Sequence, residues 1–178
     1  RQAVLPVPQP RCLAGFATRD QRLRGVDIPA RELQLELVLD ILFGPASSFF
    51  ETNYRSGLVD AETFGGEVYV EEGFCFSLMG GDTKDPLRLV DAMCTEIDNH
   101  LESPKRVYSD FERALRKAYG DLVGGWEEAE SCANFLDAAL SRGVHPAEVC
   151  ALYENTDVED LLECLREALD PRDVAVAV

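Results

Sequence analysis

Histidine is nearly absent from this chain: among 178 residues there are two, His100 and His145. Zinc catalysis takes three protein ligands and an open position for water, and two histidines alone fall short of that number. His145-Pro146-Ala147-Glu148-Val149 begins like H-x-x-E-H, but Val149 stands where the second His would have to be. His145 also precedes a proline, which puts it at a helix entrance rather than one turn inside. His100 falls at the end of a helix, where a cation suits the dipole, with no ligand set around it. A Ser/His/Asp triad would need one of these two histidines, and no G-x-S-x-G elbow accompanies them. The P-loop pattern is missing as well. Gly80-Gly81-Asp82-Thr83-Lys84 reads as a strand-to-helix turn, because Asp82 and Asp85 would repel a phosphate. Carboxylates are plentiful, but their spacing singles out no acid/base pair.

Positive charge is scarce too. Lys and Arg number 17 against 33 Asp and Glu, a net charge of −16. Nucleic acid and anionic membrane surfaces would repel such a chain. The acids are scattered, so they read as a solvated surface, with a wall preferring basic peptides as the sharper alternative. No apolar run approaches the roughly 18 residues of a membrane helix. The six cysteines, Cys12, Cys75, Cys94, Cys132, Cys150 and Cys164, include no C-x-x-C pair. Most lie in apolar periodic segments, as small buried hydrophobes do. They read as free thiols of a cytoplasmic protein rather than a disulfide framework or a zinc cluster. The start at Arg1, with no initiator Met, gives the expectation that this is a piece of a longer protein.

What is present is a balanced globular composition, 46% hydrophobic and 28% charged, long enough for one domain with a real core. The stretch from Ser47 to Pro86 organises it. A short helix over Ser47–Tyr54 stops at Gly57. Val68 and Val70 then share one face of a strand, with Tyr69 opposite. After Glu71-Glu72-Gly73, Phe74, Phe76 and Leu78 alternate with Cys75, Ser77 and Met79. Period two across a short Gly-containing turn predicts a β-hairpin. Asp85 suits an N-cap and Pro86 the first helical position. Both faces of the hairpin carry apolar residues, so one is expected on helices and the other on a neighbouring domain.

Residues 1–11, with Pro6, Pro8 and Pro10, read as a lead-in segment. Cys12–Thr18 is the first strand and Arg19–Gly25 a loop. Pro29 starts a helix through Phe43 whose apolar residues nearly encircle it, so it is expected to be buried. Pro86–Leu101 is an amphipathic helix broken at Ser103-Pro104. Ser109-x-x-Glu112 reads as a capping box opening the next helix, to about Val123. Gly124-Gly125 interrupts it. From Trp126 to Leu140 a helix carries Ala129, Cys132, Ala133, Leu136 and Leu140 on one face. His145-Pro146 begins a short helix. Thr156-x-x-Glu159 reads as a second capping box, for a helix through Leu169. Val174, Val176 and Val178 finish as a strand. Strands placed early and late around bunched helices predict a two-layer α+β domain over 12–178, an antiparallel or mixed sheet with helices on one face. The hairpin and the Leu33–Phe43 helix are its expected core, with Leu39 and Phe76 buried between them.

The succession of helix, Ser47-Ser48, Gly57-Leu58, hairpin, Gly80-Gly81-Asp82-Thr83-Lys84-Asp85-Pro86 and helix resembles the C-terminal half-domain of bacterial M16 (insulinase-like) processing peptidases. The closing TDVEDLLECLREALDPRDVAVAV looks like the ending of that family, so the resemblance runs from Cys12 to Val178. It implies a non-catalytic lobe forming the substrate-chamber wall opposite a metal-bearing N-terminal lobe. Zinc is then expected in that lobe, on H-x-x-E-H and a distal Glu, with no cofactor in this chain. The implied partners are the N-terminal lobe of the same polypeptide, an unfolded peptide substrate and, as a further candidate, a second copy in a homodimer. Active members place an Arg and a Tyr in a segment like L-R-x-x-x-G-L-x-Y. Anchored on Gly57-Leu58, that pattern puts Asn53 at the Arg position and Asp60 at the Tyr position, with Tyr54 and Arg55 close by. These four are the substrate-facing candidates. The departure leaves two readings open: the lobe of an active zinc peptidase, or an interaction module of a proteolytically inactive relative.

Overall fold

The structure, a computed structural model, describes residues 9–18 and 22–178. The expected lead-in up to residue 8, and the expected loop at residues 19–21, lie outside the described residues. Among the described residues four strands form one sheet: β1 (Arg11–Thr18), β2 (Gly65–Glu71), β3 (Phe74–Asp82) and β4 (Ala175–Ala177). Their order is β2-β3-β1-β4, and every neighbouring pair is antiparallel. Among the described residues seven α-helices complete the α+β fold: α1 (Asp27–Phe43), α2 (Ser48–Arg55), α3 (Pro86–Glu102), α4 (Lys105–Gly125), α5 (Ala129–Ser141), α6 (Pro146–Asn155) and α7 (Val158–Ala168). Among the described residues no single helix is long and apolar enough to cross a membrane.

The hairpin forms as its alternation predicts. Glu71 pairs with Phe74 across the two-residue turn Glu72-Gly73. Strand β3 continues to Asp82, through Gly80, because β1 presses against it there. A Cβ on Gly80 would lie 2.0 Å from the Cys12 carbonyl oxygen, so the close approach of the two backbones requires glycine. Asp85 then caps α3 by accepting from the Arg88 N–H at 3.1 Å, with Pro86 following as expected. Ser47 caps α2 through the Phe50 N–H in the same way.

One face of the sheet is the core face. Cys12, Ala14 and Phe16 of β1, Cys75, Ser77 and Met79 of β3, and Val70 of β2 are all buried there. Helix α1 packs beneath it with ten buried residues, its apolar girdle serving the sheet on one side and the outer helices on the other. Leu89, Met93 and Ile97 of α3 and Leu161 and Leu165 of α7 complete the cluster. The opposite face carries Leu13, Phe74, Phe76, Leu78 and Tyr69, all at least partly open. Phe76, expected in the core, therefore belongs to the uncovered face. Its neighbours there are rings, Tyr69 at 4.7 Å and Phe74 at 6.0 Å between centroids.

Besides α1, which opens at Asp27 two residues before the expected Pro29, three helix starts differ from the sequence reading. Helix α4 begins at Lys105, so Ser109 sits inside it and its hydroxyl donates back to the Arg106 carbonyl. Pro104 already holds a helical φ, and its carbonyl accepts from Val107 and Tyr108. Burial of Val107 holds that turn in place. Glu112 is spent on Arg116 at 2.7 Å. Gly124-Gly125 ends α4 rather than interrupting it earlier, and Trp126 is its cap, so α5 starts only at Ala129. The α7 capping box is Asp157 with Asp160, one residue after Thr156. Thr156 is still held by α6, its N–H donating to the Leu152 carbonyl, and the Asp157 carboxylate is the stronger acceptor at a positive helix end. The expected inner face of α5 also changes: Leu140 is 63% exposed, and Ala139 is the buried residue. Helix α5 lies at the margin, leaning on α6, which itself buries no residue fully.

Candidate functional site

Strand β2 is a sheet edge, and a groove runs beside it. The groove encloses about 620 Å³, within the span of ligand pockets. Gly65–Tyr69 form one bank. Glu36, Asp40 and Phe43 of α1 lie below, and Lys117 and Asp121 of α4 with Tyr153 of α6 stand opposite. A smaller hollow of about 280 Å³ lies on the uncovered face and shares Gly65, Gly66 and Glu67 with the first. The start of β2 is thus a thin wall between two depressions.

The hairpin register decides what this edge offers. Across a two-residue turn, Glu71 and Phe74 exchange hydrogen bonds, and the pattern alternates from there. Gly65, Glu67, Tyr69 and Glu71 therefore turn their backbone groups to β3. Gly66, Val68 and Val70 turn theirs outward. Among the described residues neither Gly66 nor Val68 has a backbone partner on that side. Unpaired N–H and C=O groups at a sheet edge are a template for another strand.

Charge in the groove is mostly negative. Lys117 lies 3.1 Å from Asp40 and 3.7 Å from Asp121. Arg113 also meets Asp40, at 3.0 Å. Among the described residues Glu36 makes no ion pair, and its side chain is exposed. The surrounding wall and the nearby Glu32 carboxylate raise its pKa to about 7, with Lys117 acting the other way. Burial, followed by the field of Glu36, lifts the Tyr153 hydroxyl to about 12. The Glu67 carboxylate accepts from the Tyr69 hydroxyl on the uncovered side.

The four residues singled out from the sequence sit on α2 and the turn after it, outside the groove lining. Asn53 donates from Nδ2 to the Phe49 carbonyl at 2.8 Å, and its own carbonyl receives the Leu58 and Val59 N–H groups. The Asp60 carboxylate accepts from the Glu62 and Thr63 N–H groups at 3.0 and 3.1 Å, a local turn. Arg55 pairs with Glu51 at 2.6 Å, both well exposed. Tyr54 is 55% exposed and stacks on Phe50, a groove residue. Glu36, Gly66, Val68 and Lys117 were not signalled. Only the identity of the edge strand, which pairing decides, brings them together.

Both histidines are engaged in local contacts. His145 caps α6: its Nδ1 accepts from the Ala147 N–H, while Glu148 returns a carboxylate oxygen to the His145 N–H at 2.9 Å. His100 is buried against the Glu96 carbonyl at 2.9 Å. Among the described residues no three metal-ligating side chains converge.

These features occur on a recognised architecture. No protein-family model matches the chain. It is 27% identical over 176 residues to the uncharacterized zinc protease YmfH of Bacillus subtilis (strain 168), covering 95% of this chain and 39% of that protein. The crystal structure of an M16-like peptidase from Alicyclobacillus acidocaldarius superposes with a TM-score of 0.86 at 24% identity, over 96% of this chain and 40% of that one. The inactive peptidase domain of a Bordetella parapertussis zinc protease gives 0.71 at 12% identity, over 98% and 92%. Together the fold and the sequence likeness fit a half-domain of an M16 peptidase. The chain spans about two fifths of the length of the curated relative it matches.

Proposed function

We propose that the chain is the non-catalytic, C-terminal lobe of an M16-like zinc peptidase and that it holds an extended, unfolded peptide along β2. The observation that carries this is the groove beside unpaired backbone groups at Gly66 and Val68. Backbone pairing grips a peptide whatever its sequence, which suits a lobe that presents substrates rather than reads them. The excess of carboxylates in the groove favours cationic segments. The uncovered sheet face, with Phe74, Phe76 and Leu78, is the proposed contact with the N-terminal lobe, which would carry the zinc. Tyr54 and Arg55 on the exposed side of α2 stay in the proposal as further peptide contacts, with Asn53 and Asp60 shaping the turn beneath them. A cytoplasmic setting belongs to the same proposal. It is tested by recovering all six thiols from protein purified without reductant.

The test of the function is complementation. The chain is mixed with a separately made N-terminal half that retains H-x-x-E-H, and an unfolded peptide is offered. Cleavage in the mixture and in neither half alone is the expected result. The likeness to an inactive peptidase domain supports a second reading, an interaction module in a protein that no longer cleaves. Association of the halves without cleavage, despite intact zinc ligands, selects that reading.

A further inference from the structure

The edge of β2 is not open along its whole length. Of its three outward-facing residues, Gly66 and Val68 face the groove, whereas the Val70 carbonyl receives Nη2 of Arg142 at 3.4 Å. The same guanidinium is clamped on both sides, by Glu32 at 2.6 Å from Nη1 and by Glu71 at 3.0 Å from Nη2. Its side chain is 17% exposed. Neighbouring strands lie about 4.8 Å apart. A guanidinium 3.4 Å from the Val70 oxygen therefore occupies the space an added backbone would need.

Arg142 reaches this position from a tight turn. It caps α5, and Gly143 follows at φ 70°, a left-handed value that suits glycine. The Gly143 N–H donates to Leu140 and the Val144 N–H to Ala139, so the chain turns back at once. Val144 is buried and anchors the turn. The clamp thus links the α5–α6 connection, α1 and the end of the hairpin.

We propose that Arg142 is a register stop: it limits an added peptide strand to the stretch facing Gly65–Tyr69 and fixes where that strand ends. This rests on the peptide-holding reading above and adds to it the length and register of the bound segment. The occupant is a short cationic extended peptide, argued from the unpaired edge and the carboxylates of the groove. Beyond about five paired residues, further length finds no backbone partner. Arg142 acts through the strand edge and is a positioning residue.

The test measures binding of fluorescent (Thr-Lys) repeat peptides, from about three to about nine residues long, to the 178-residue chain by anisotropy. In the unaltered chain, affinity should rise up to about five residues and then level off. In Arg142→Ala the levelling should move out by about two residues, with longer peptides binding up to about tenfold tighter and the shortest unchanged. Glu71→Gln, which loosens one side of the clamp, should move it in the same direction and guards against an unfolded alanine variant. Affinity that keeps rising to about nine residues in the unaltered chain overturns the stop. So do identical length curves in all three proteins. Absence of binding at every length overturns the peptide-holding reading itself, and the stop with it.

Discussion

Both faces of the sheet carry large apolar side chains, and those side chains meet opposite fates. On one, Phe16 and Cys75 are 2% exposed, Phe16 in a core shared with α1, α3 and α7 and Cys75 in one shared with Leu35 of α1 and Cys164 of α7. On the other, Tyr69 is 41% and Phe74 48% exposed, and among the described residues no helix covers them. Apolar content alone does not make a core; a second layer does. Among the described residues, helices form a layer on one face only. The aromatic row Tyr69, Phe76, Phe74 is packed within itself.

Substitutions on the two faces test that contrast. The largest effect is expected inside. Leu39→Ala should cost about 2–5 kcal/mol, read from chemical unfolding, since Leu39 is 5% exposed beneath the sheet. A loss below about 1 kcal/mol would mean the helical layer does not hold the sheet. Next is a change visible only in the assembled pair. Phe76→Lys should weaken association with a separately made N-terminal half at least about tenfold, by placing a charge in the proposed contact. Unchanged association would move the contact elsewhere. The same position should matter little to the chain alone: Phe76→Ala should cost under about 1 kcal/mol, because half-open rings bury little on folding. A core-sized loss would close the distinction between the faces.

The groove supplies a smaller, pH-dependent effect. Glu36 has an ordinary value of 4.5, raised to about 7 in the fold. The folded state therefore binds its proton more tightly than the unfolded chain does. Stability from this group is lost as pH rises from 4.5 towards 7, and the loss is constant above that range. Glu36→Gln should remove the slope in this window and leave stability below it unchanged. A cationic peptide should bind more tightly as pH rises through about 7, when Glu36 becomes charged beside Asp40, Asp121, Lys117 and Tyr153. A flat profile in the unaltered chain would remove Glu36 from the site. The smallest expected signal is zinc: metal analysis after dialysis should find less than one equivalent, because both histidines are engaged elsewhere.

Local chemistry written along the chain determined much of this protein. Period-two alternation specified β3, encircling leucines announced a buried α1, and Asp85-Pro86 opened α3 where cap chemistry said it would. Each depends on neighbours a few residues away, which is why the sequence carries them openly. Cap competition between adjacent residues is subtler: Thr156 and Asp157 both offer acceptable boxes, and the end of α6 decided between them. Which face of the hairpin lies under helices was not legible, because Cys75-Ser77-Met79 and Phe74-Phe76-Leu78 are both apolar enough to be buried. That placed Phe76 outside the core. The groove was least legible of all. Its parts lie on β2, α1, α4 and α6, and its character depends on β1 pairing with β3 rather than with β2. Strand pairing is a long-range choice, made by the fit of Gly80 against Cys12 and by the helices beneath. Only the tertiary structure, by leaving β2 at the edge and setting Arg142 against its end, turned a hairpin into a candidate site.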